Sequence, residues 1–344
     1  MKLVMTIILS LSSWAVFSQN TQFSQYYASP IFLNPAFAGI IAEPTLSINH
    51  KNSGKINDGS FSDLSQLTLS MPYLTTTTKT LQSGGAALSV FREKRGFNGI
   101  YVTHKVLGAG AYSLRLDRLR PQYLTFGLQG GIVINSLDTG PLRWGSQYNP
   151  YIGFDDSLPQ EDVTANSDAY PVFNFGMIYA VHNHDNIYVR DKSVVVGIAI
   201  DNLNVPKTNS GFGTTRESPV IRLHAASESE INPKTSVHPT LLLLYQSGSY
   251  QANVGIYWSR LVSNTLSKKS VLLQVGGWYR LNDSVIGTIG LEVESLRVGF
   301  SYDLNTRTFN NNDVTAQNNG ALEVSISYRL QKSRSITKIS NPLF

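Results

Sequence analysis

Hydrophobic positions recur at every second residue through much of this chain. In 321–330, Leu322, Val324, Ile326, Tyr328 and Leu330 alternate with Ala321, Glu323, Ser325, Ser327 and Arg329. In 295–304, Leu296, Val298, Phe300, Tyr302 and Leu304 alternate with Ser295, Arg297, Gly299, Ser301 and Asp303. A period of two places the apolar set on one face of a strand and the polar set on the other. Comparable runs lie near 45–51, 65–71, 84–93, 103–115, 122–135, 170–181, 193–201, 220–229, 237–246, 250–260, 270–280 and 284–292, which with the first two makes fourteen. Several measure about 10 residues, the length a tilted strand needs to cross a bilayer, and fourteen falls within the even-numbered range of bacterial outer-membrane barrels. The pattern predicts an all-β fold, an outer-membrane antiparallel β-barrel of 14 strands. A large periplasmic or secreted β-sandwich would alternate in the same way, but its strands have no need of this length.

The start of the chain has a different period and a different purpose. Lys2 precedes an apolar stretch from Leu3 to Phe17, and the small Ser18 stands before Gln19. That order is the signature of a secretory signal peptide cut after residue 18, and the stretch is shorter than the ~20 residues a membrane-spanning helix requires. Removing 18 from 344 leaves 326 residues, about 23 for each strand with its connection, which accommodates short turns and some long loops. The expected organisation is a signal peptide at 1–18, an N-terminal extended arm or plug segment at 19–42, the transmembrane barrel at 43–330 and a C-terminal tail at 331–344. Long loops are expected at Leu137–Asp168, Asn202–Pro219 and Thr306–Asn319. Trp258, Trp278, Tyr279, Tyr302 and Tyr328 fall toward run ends, where amphipathic rings suit the headgroup layer. Glycines inside the runs, among them Gly84, Gly85, Gly127, Gly276 and Gly290, either relieve crowding where strands bend or leave lumen space for an inserted segment.

Composition removes most chemistry. Only 15% of residues are charged and there is no cysteine, which excludes disulfide frameworks, thiol nucleophiles and cysteine-ligated metals. The net charge of +5 is spread without Lys/Arg blocks, so nucleic acid is not an expected partner. His182 and His184 could face one side of a strand as metal ligands, but the surrounding Asn183, Asp185 and Asn186 spell a turn. The acidic pairs Asp155-Asp156 and Glu161-Asp162 lack the spacing of a Ca²⁺ loop and read as solvated loop charges. No glycine loop has the context of a nucleotide site, no catalytic constellation is legible, and no cofactor or metal is expected.

The segment Gln22-Phe23-Ser24-Gln25-Tyr26-Tyr27-Ala28-Ser29-Pro30-Ile31-Phe32-Leu33-Asn34-Pro35-Ala36-Phe37-Ala38-Gly39 resembles the mature opening of the PorP/SprF family of type IX secretion system membrane proteins from Bacteroidetes. The resemblance continues through Leu142–Gln147, Asp201–Pro206, Gly277–Arg280, Ser301–Thr306 and Gly320–Leu330. The terminus Asn341-Pro342-Leu343-Phe344 departs from a Cys-Pro-Arg-Phe-like ending common in the family, so no role for that cysteine carries over. The resemblance implies a non-enzymatic outer-membrane barrel associated with type IX secretion and, in many members, gliding motility. It implies as partner a secreted surface protein, exported or held through its C-terminal signal domain, besides other secretion-system components and outer-membrane lipid. The alternative is an outer-membrane channel or transporter for small or hydrophobic solutes.

Two groups of residues are candidates for the functional surface. In the arm, Pro30 and Pro35 forbid a regular central strand or helix interior, and Phe23, Tyr26 and Phe32 are costly to expose. Phe23, Gln25, Tyr26, Phe32, Asn34 and Pro35 are therefore expected to pack against the barrel interior or its periplasmic mouth, as a plug or as a partner-binding arm, their amides meeting lumen polar groups. In the long loops, Trp144, Tyr148, Tyr151, Phe154, Phe212 and Arg216 are the aromatic and Arg anchors on which capture of a partner would rest.

Overall fold

The computed structural model describes residues 22–41, 43–54, 60–74, 82–117, 122–138, 140, 142–159, 167–183, 192–209, 214–262, 271–306 and 320–330. The expected signal peptide, the loop at 307–319, Phe212, His184 and the C-terminal tail lie outside these residues. Fourteen antiparallel strands close into one barrel: β1 Thr45–Ser53, β2 Ser60–Leu74, β3 Gln82–Phe97, β4 Tyr101–Asp117, β5 Gln122–Leu137, β6 Ser167–Asn183, β7 Lys192–Asp201, β8 Val220–Asn232, β9 Thr235–Gln246, β10 Ser249–Leu261, β11 Val271–Arg280, β12 Ser284–Val293, β13 Leu296–Asn305 and β14 Ala321–Arg329. Neighbours in sequence are neighbours in space, and Thr45 opposite Arg329 closes the ring between β1 and β14. Each predicted run lies on one strand. β2 to β6 outgrow their predicted lengths, reaching 15–17 residues.

Alternation sorts side chains between the two sides of the wall. On β14, Leu322, Ile326 and Tyr328 point outward, while Glu323 and Ser325 are buried toward the lumen. Large outward residues are openly exposed, with Leu128 at 66% and Phe173 at 55%. A surface of this kind would drive aggregation in water and is the expected band against acyl chains. Tyr279, Tyr302 and Tyr328 keep the predicted outward orientation. Trp278 does not. Its indole turns into the lumen over Gly255 and Gly276, where an added Cβ would come within 2.0 Å and 2.6 Å of it.

The chain enters β1 and leaves β14 at the same end of the barrel. Inside that end Arg297 holds Glu292 at 2.5 Å and Arg329 bonds Glu292 as well, with Arg329 also 3.5 Å from Glu43 ahead of β1. These pairs tie β12, β13 and β14 to the residues that lead into β1. The connections β5–β6, β7–β8 and β13–β14 all lie at the opposite end, as long extracellular loops do in outer-membrane barrels.

The arm is not extended. It winds through 3-10 turns at Tyr26–Ala28 and Pro35–Gly39 around one α-helical turn, Pro30–Leu33. Both prolines stand in the first turn of their short helices, where the missing N–H has no intrahelical role to fill. Winding shortens the segment enough to pack inside a barrel, and the core of the molecule is the face it shares with the wall.

Candidate functional site

The arm spans the lumen from wall to wall. Near its start, the Ser24 and Gln25 amides donate to the two oxygens of Glu323 on β14, at 2.6 and 3.1 Å. Lys51 of β1 donates to the Gln22 carbonyl (2.9 Å), the Ser24 hydroxyl (2.7 Å) and Asp303 of β13 (2.9 Å). Arg280 of β11 reaches the Ser24 hydroxyl at 3.4 Å, and Ser24 in turn donates to Asp303. The Gln25 amide spans Ser301 of β13 and the Glu323 carbonyl, while Ser325 donates to its oxygen. All these groups are buried: Lys51 and Arg280 are held by Asp303 and by hydrogen bonds together, and Glu323 by the two backbone amides, the kind of compensation under which buried ions are tolerated.

Midway, Tyr27 stacks on Tyr257 of β10 and Trp278 of β11, with ring centroids 5.7 and 5.3 Å apart. The Tyr26 hydroxyl donates to Thr240 of β9 (2.7 Å), which also accepts from the Trp278 indole (2.9 Å). Burial pushes the Tyr26 phenol up to about 12, and raises that of Tyr27 as well. Farther along, the Asn34 amide donates to the carbonyls of Met177 on β6 (3.2 Å) and Ile198 on β7 (3.0 Å) and meets His224 of β8 at 3.1 Å. The Asn34 oxygen caps the next turn through the Ala36 N–H (2.9 Å). Phe37 lies on the His224 ring, and Ser113 of β4 donates to the Gly39 carbonyl.

Wall glycines make this fit possible. A Cβ on Gly85 of β3 would lie 1.9 Å from the Ala38 carbonyl, one on Gly127 of β5 would lie 2.4 Å from the Ala36 nitrogen, and one on Gly176 of β6 would lie 1.9 Å from the Asn34 side chain. One on Gly299 of β13 would meet Gln25 at 2.4 Å. The lumen is therefore shaped for this segment, and of the two sequence readings of the inward glycines the space-making one holds here.

Above the arm, toward the loop end, lies a cavity of about 310 Å³. Phe32 and Phe91 form its apolar floor, with rings 5.6 Å apart, and Phe23 packs edge-on beneath Phe32 at 5.4 Å. Glu93, Lys105, Asp201 and Arg222 are among its walls. Arg222 is paired with Asp201 and lies over the Phe32 ring at 5.0 Å, while its buried Nε has no hydrogen-bond partner among the described residues. Periodicity could not foretell this vestibule, because its walls come from strands far apart in sequence.

The six arm candidates converge in the lumen. Phe23, Gln25, Tyr26, Asn34 and Pro35 are buried, and Phe32 alone borders the vestibule. The loop candidates divide differently. Between β5 and β6, Gln147 organises the connection: its amide donates to the Leu158 carbonyl and its backbone oxygen accepts from Asp155. A two-residue hairpin, Tyr148–Asn149 with Gly153–Phe154, carries the tip. Tyr148 and Tyr151 are exposed, Tyr151 at 95%, and Ile152 stands beside them. Trp144 is half-buried with its indole nitrogen enclosed, and Phe154 lies under Arg143 at 4.7 Å. Asp155 is engaged locally, its carboxyl held below the usual range by the Ser157 hydroxyl and amide. Arg216 is exposed on a second small hairpin, Lys207–Asn209 with Thr214–Arg216. Ile152, which sequence reading passed over, becomes notable only because the hairpin turns it outward.

Solved structures of outer-membrane barrels are similar to this chain at low identity. The toluene transporter TbuX of Ralstonia pickettii is 12% identical over 88% of this chain and 94% of its own, with a TM-score of 0.46. The translocator domain of the autotransporter NalP from Neisseria meningitidis is 13% identical over 89% and 98%, with a TM-score of 0.39. A Pseudomonas aeruginosa FadL homologue is 10% identical over 88% and 94%, with a TM-score of 0.39. No curated protein matches the chain. The family described as "Type IX secretion system membrane protein PorP/SprF" matches residues 15–328, which take in the arm and all but the end of the last strand. A closed outer-membrane barrel with the arm signature at its head and the matching final strand at its tail thus belongs to the PorP/SprF family of type IX secretion system membrane proteins.

Proposed function

We propose that the protein is a non-enzymatic platform that helps export, or holds at the cell surface, a secreted partner carrying a type IX C-terminal signal domain, with gliding motility as one process served. Membership of the family associates the chain with type IX secretion in the outer membrane. The observation that supports the platform reading is the filled lumen. Contacts and hydrogen bonds of the arm reach around the wall from β1 to β14, so the barrel's interior is committed to its own chain rather than to a passing solute. What remains free faces outward at the loop end: the vestibule and the aromatic tip of the β5–β6 loop. An exposed pair of tyrosines beside an isoleucine, on a loop stapled by Gln147, has the rigid amphipathic character of interface anchors.

The arm residues serve in this reading as a structural plug that shapes the vestibule floor, and partner contact falls to Tyr148, Tyr151 and Ile152. The test is Tyr148→Ser/Tyr151→Ser/Ile152→Ser in the native host. Expected are a folded barrel in the outer membrane and release to the medium of a secreted protein that otherwise co-purifies with the chain. Unchanged retention by the triple variant would overturn the loop assignment. Stepwise open-channel conductance of the wild-type barrel in planar bilayers, with no co-purifying protein, would favour the transporter instead.

A further inference from the structure

We propose that the outer wall of β1–β4 holds the phosphate groups of an outer-leaflet lipid, through Arg92 and Lys94 with His104 and His50 beside them. The inference is independent of the partner reading, because these side chains project away from the lumen. Strand register makes them neighbours. Arg92 on β3 stands opposite His104 on β4 and Ser65 on β2, and Ser65 stands opposite His50 on β1. Lys94 is two residues farther along β3, opposite Asp63 on β2 and Val102 on β4.

The rest of the outer rim at the loop end is unlike this stretch. On six of the other strands the outward residue toward that end is apolar or aromatic: Phe173 on β6, Tyr245 on β9, Tyr250 on β10, Tyr279 on β11, Leu304 on β13 and Leu322 on β14. A charged residue on the lipid face costs about 2–4 kcal/mol at mid-membrane and little at the interface, so such a row belongs in the headgroup layer. Arg92, Lys94 and His104 have no hydrogen-bond or ion-pair partner among the described residues. The acid in the patch, Asp63, is engaged on its β1 side, accepting from Asn52 at 3.3 Å and lying 3.7 Å from His50, whose other ring nitrogen meets Ser65 at 2.9 Å. Two permanent cations therefore stand over one occupied carboxylate.

Directly toward mid-membrane from these cations the outward residues of the same strands are Leu67, Leu88, Val90 and Val106, all exposed. Cations above and an aliphatic surface below match a phosphorylated glycolipid, its phosphates on the Arg fork and Lys ammonium and its acyl chains on the wall. A free anion would use only the upper half of this arrangement.

The full chain, purified in detergent and stripped of lipid, is titrated with lipid A, with dephosphorylated lipid A and with inorganic phosphate. Binding is followed by native mass spectrometry and by the thermal transition. Lipid A is expected to bind, with affinity falling about tenfold or more in Arg92→Gln/Lys94→Gln/His104→Gln, a loss that two missing charge-assisted contacts readily produce. Arg92→Gln alone should show part of that loss and guards against a triple variant that fails to fold. Equal binding of dephosphorylated lipid A, or undiminished binding by the variants, overturns the proposal. Inorganic phosphate competing on its own at the lipid's affinity overturns the lipid assignment in favour of a free-anion site.

Discussion

At single residues the fit between arm and wall is governed by volume. Gly127 faces the Ala36 backbone so closely that Gly127→Ala would place a methyl group 2.4 Å from a main-chain nitrogen, which a side-chain rotation cannot relieve. We expect it to destabilise the folded barrel by about 1–3 kcal/mol, seen as a lowered thermal transition, whereas Gly110→Ala meets nothing within 4 Å and should be silent. Removing volume is costly as well. Phe23 and Tyr26 are almost fully enclosed, so Phe23→Ala or Tyr26→Ala should cost about 3–5 kcal/mol, visible as weakened protease resistance; retained stability with lost partner retention would contradict the plug role. Tyr26 also carries a pH signature. Its phenol is raised from 10.0 to about 12 in the folded state, so the stability it contributes is complete below pH 10.0 and is lost as pH rises through about 12. Tyr26→Phe, read by phenolate absorbance and unfolding across that window, should remove the highest-pH part of the profile.

At the level of elements, the arm is bound to the wall by two chemically different grips. Lys51, Arg280, Asp303 and Glu323 hold Ser24 and Gln25 by charge, while Tyr26, Tyr27, Asn34 and Phe37 hold the rest by stacking, amide bonds and burial. Truncating Lys51 to Met leaves Asp303 buried without its nearest cation and should cost about 3–5 kcal/mol. Lys51→Met/Asp303→Asn should recover a substantial part of that, because the penalty lies in the orphaned charge rather than in the lost contact. A double-mutant cycle on unfolding free energies checks this, and strict additivity would show that the two residues do not share a network. The aromatic grip makes its contacts elsewhere, Tyr27 stacking on Tyr257 of β10 and Trp278 of β11.

For the whole molecule, the arm's deletion is the decisive perturbation. Loss of residues 22–41 would uncover glycines and buried charges around the lumen, and we expect the barrel either to lose stability markedly or to conduct ions in planar bilayers where the intact chain does not. An intact chain with large stable conductance would contradict a filled lumen. The fold itself was largely legible beforehand. Leu322, Ile326 and Tyr328, or Phe300 and Tyr302, announce an outward apolar face because lipid on one side and lumen on the other impose a strict period of two. Trp278 shows the limit of that reading. Adjacent Trp278 and Tyr279 must face opposite sides, and their place at the end of a run assigned both to the membrane interface, although a small-residue pocket made by Gly255 and Gly276 accepts the indole inward.

By itself the sequence determined the barrel, its fourteen strands, the family and the fact that the proline-broken arm had to find shelter for its aromatic rings. These follow from local properties: periodicity, run length, and the backbone limits of proline. Only the tertiary structure decided that the arm winds into turns, which glycines make room for it, that Glu323 receives its amides from nearly three hundred residues away in sequence, and that Arg92 and His104 share one patch of outer wall. Such pairings depend on strand register and on which side of the wall each residue takes. A one-residue slip would reverse every side chain, so they become fixed only when the cylinder closes.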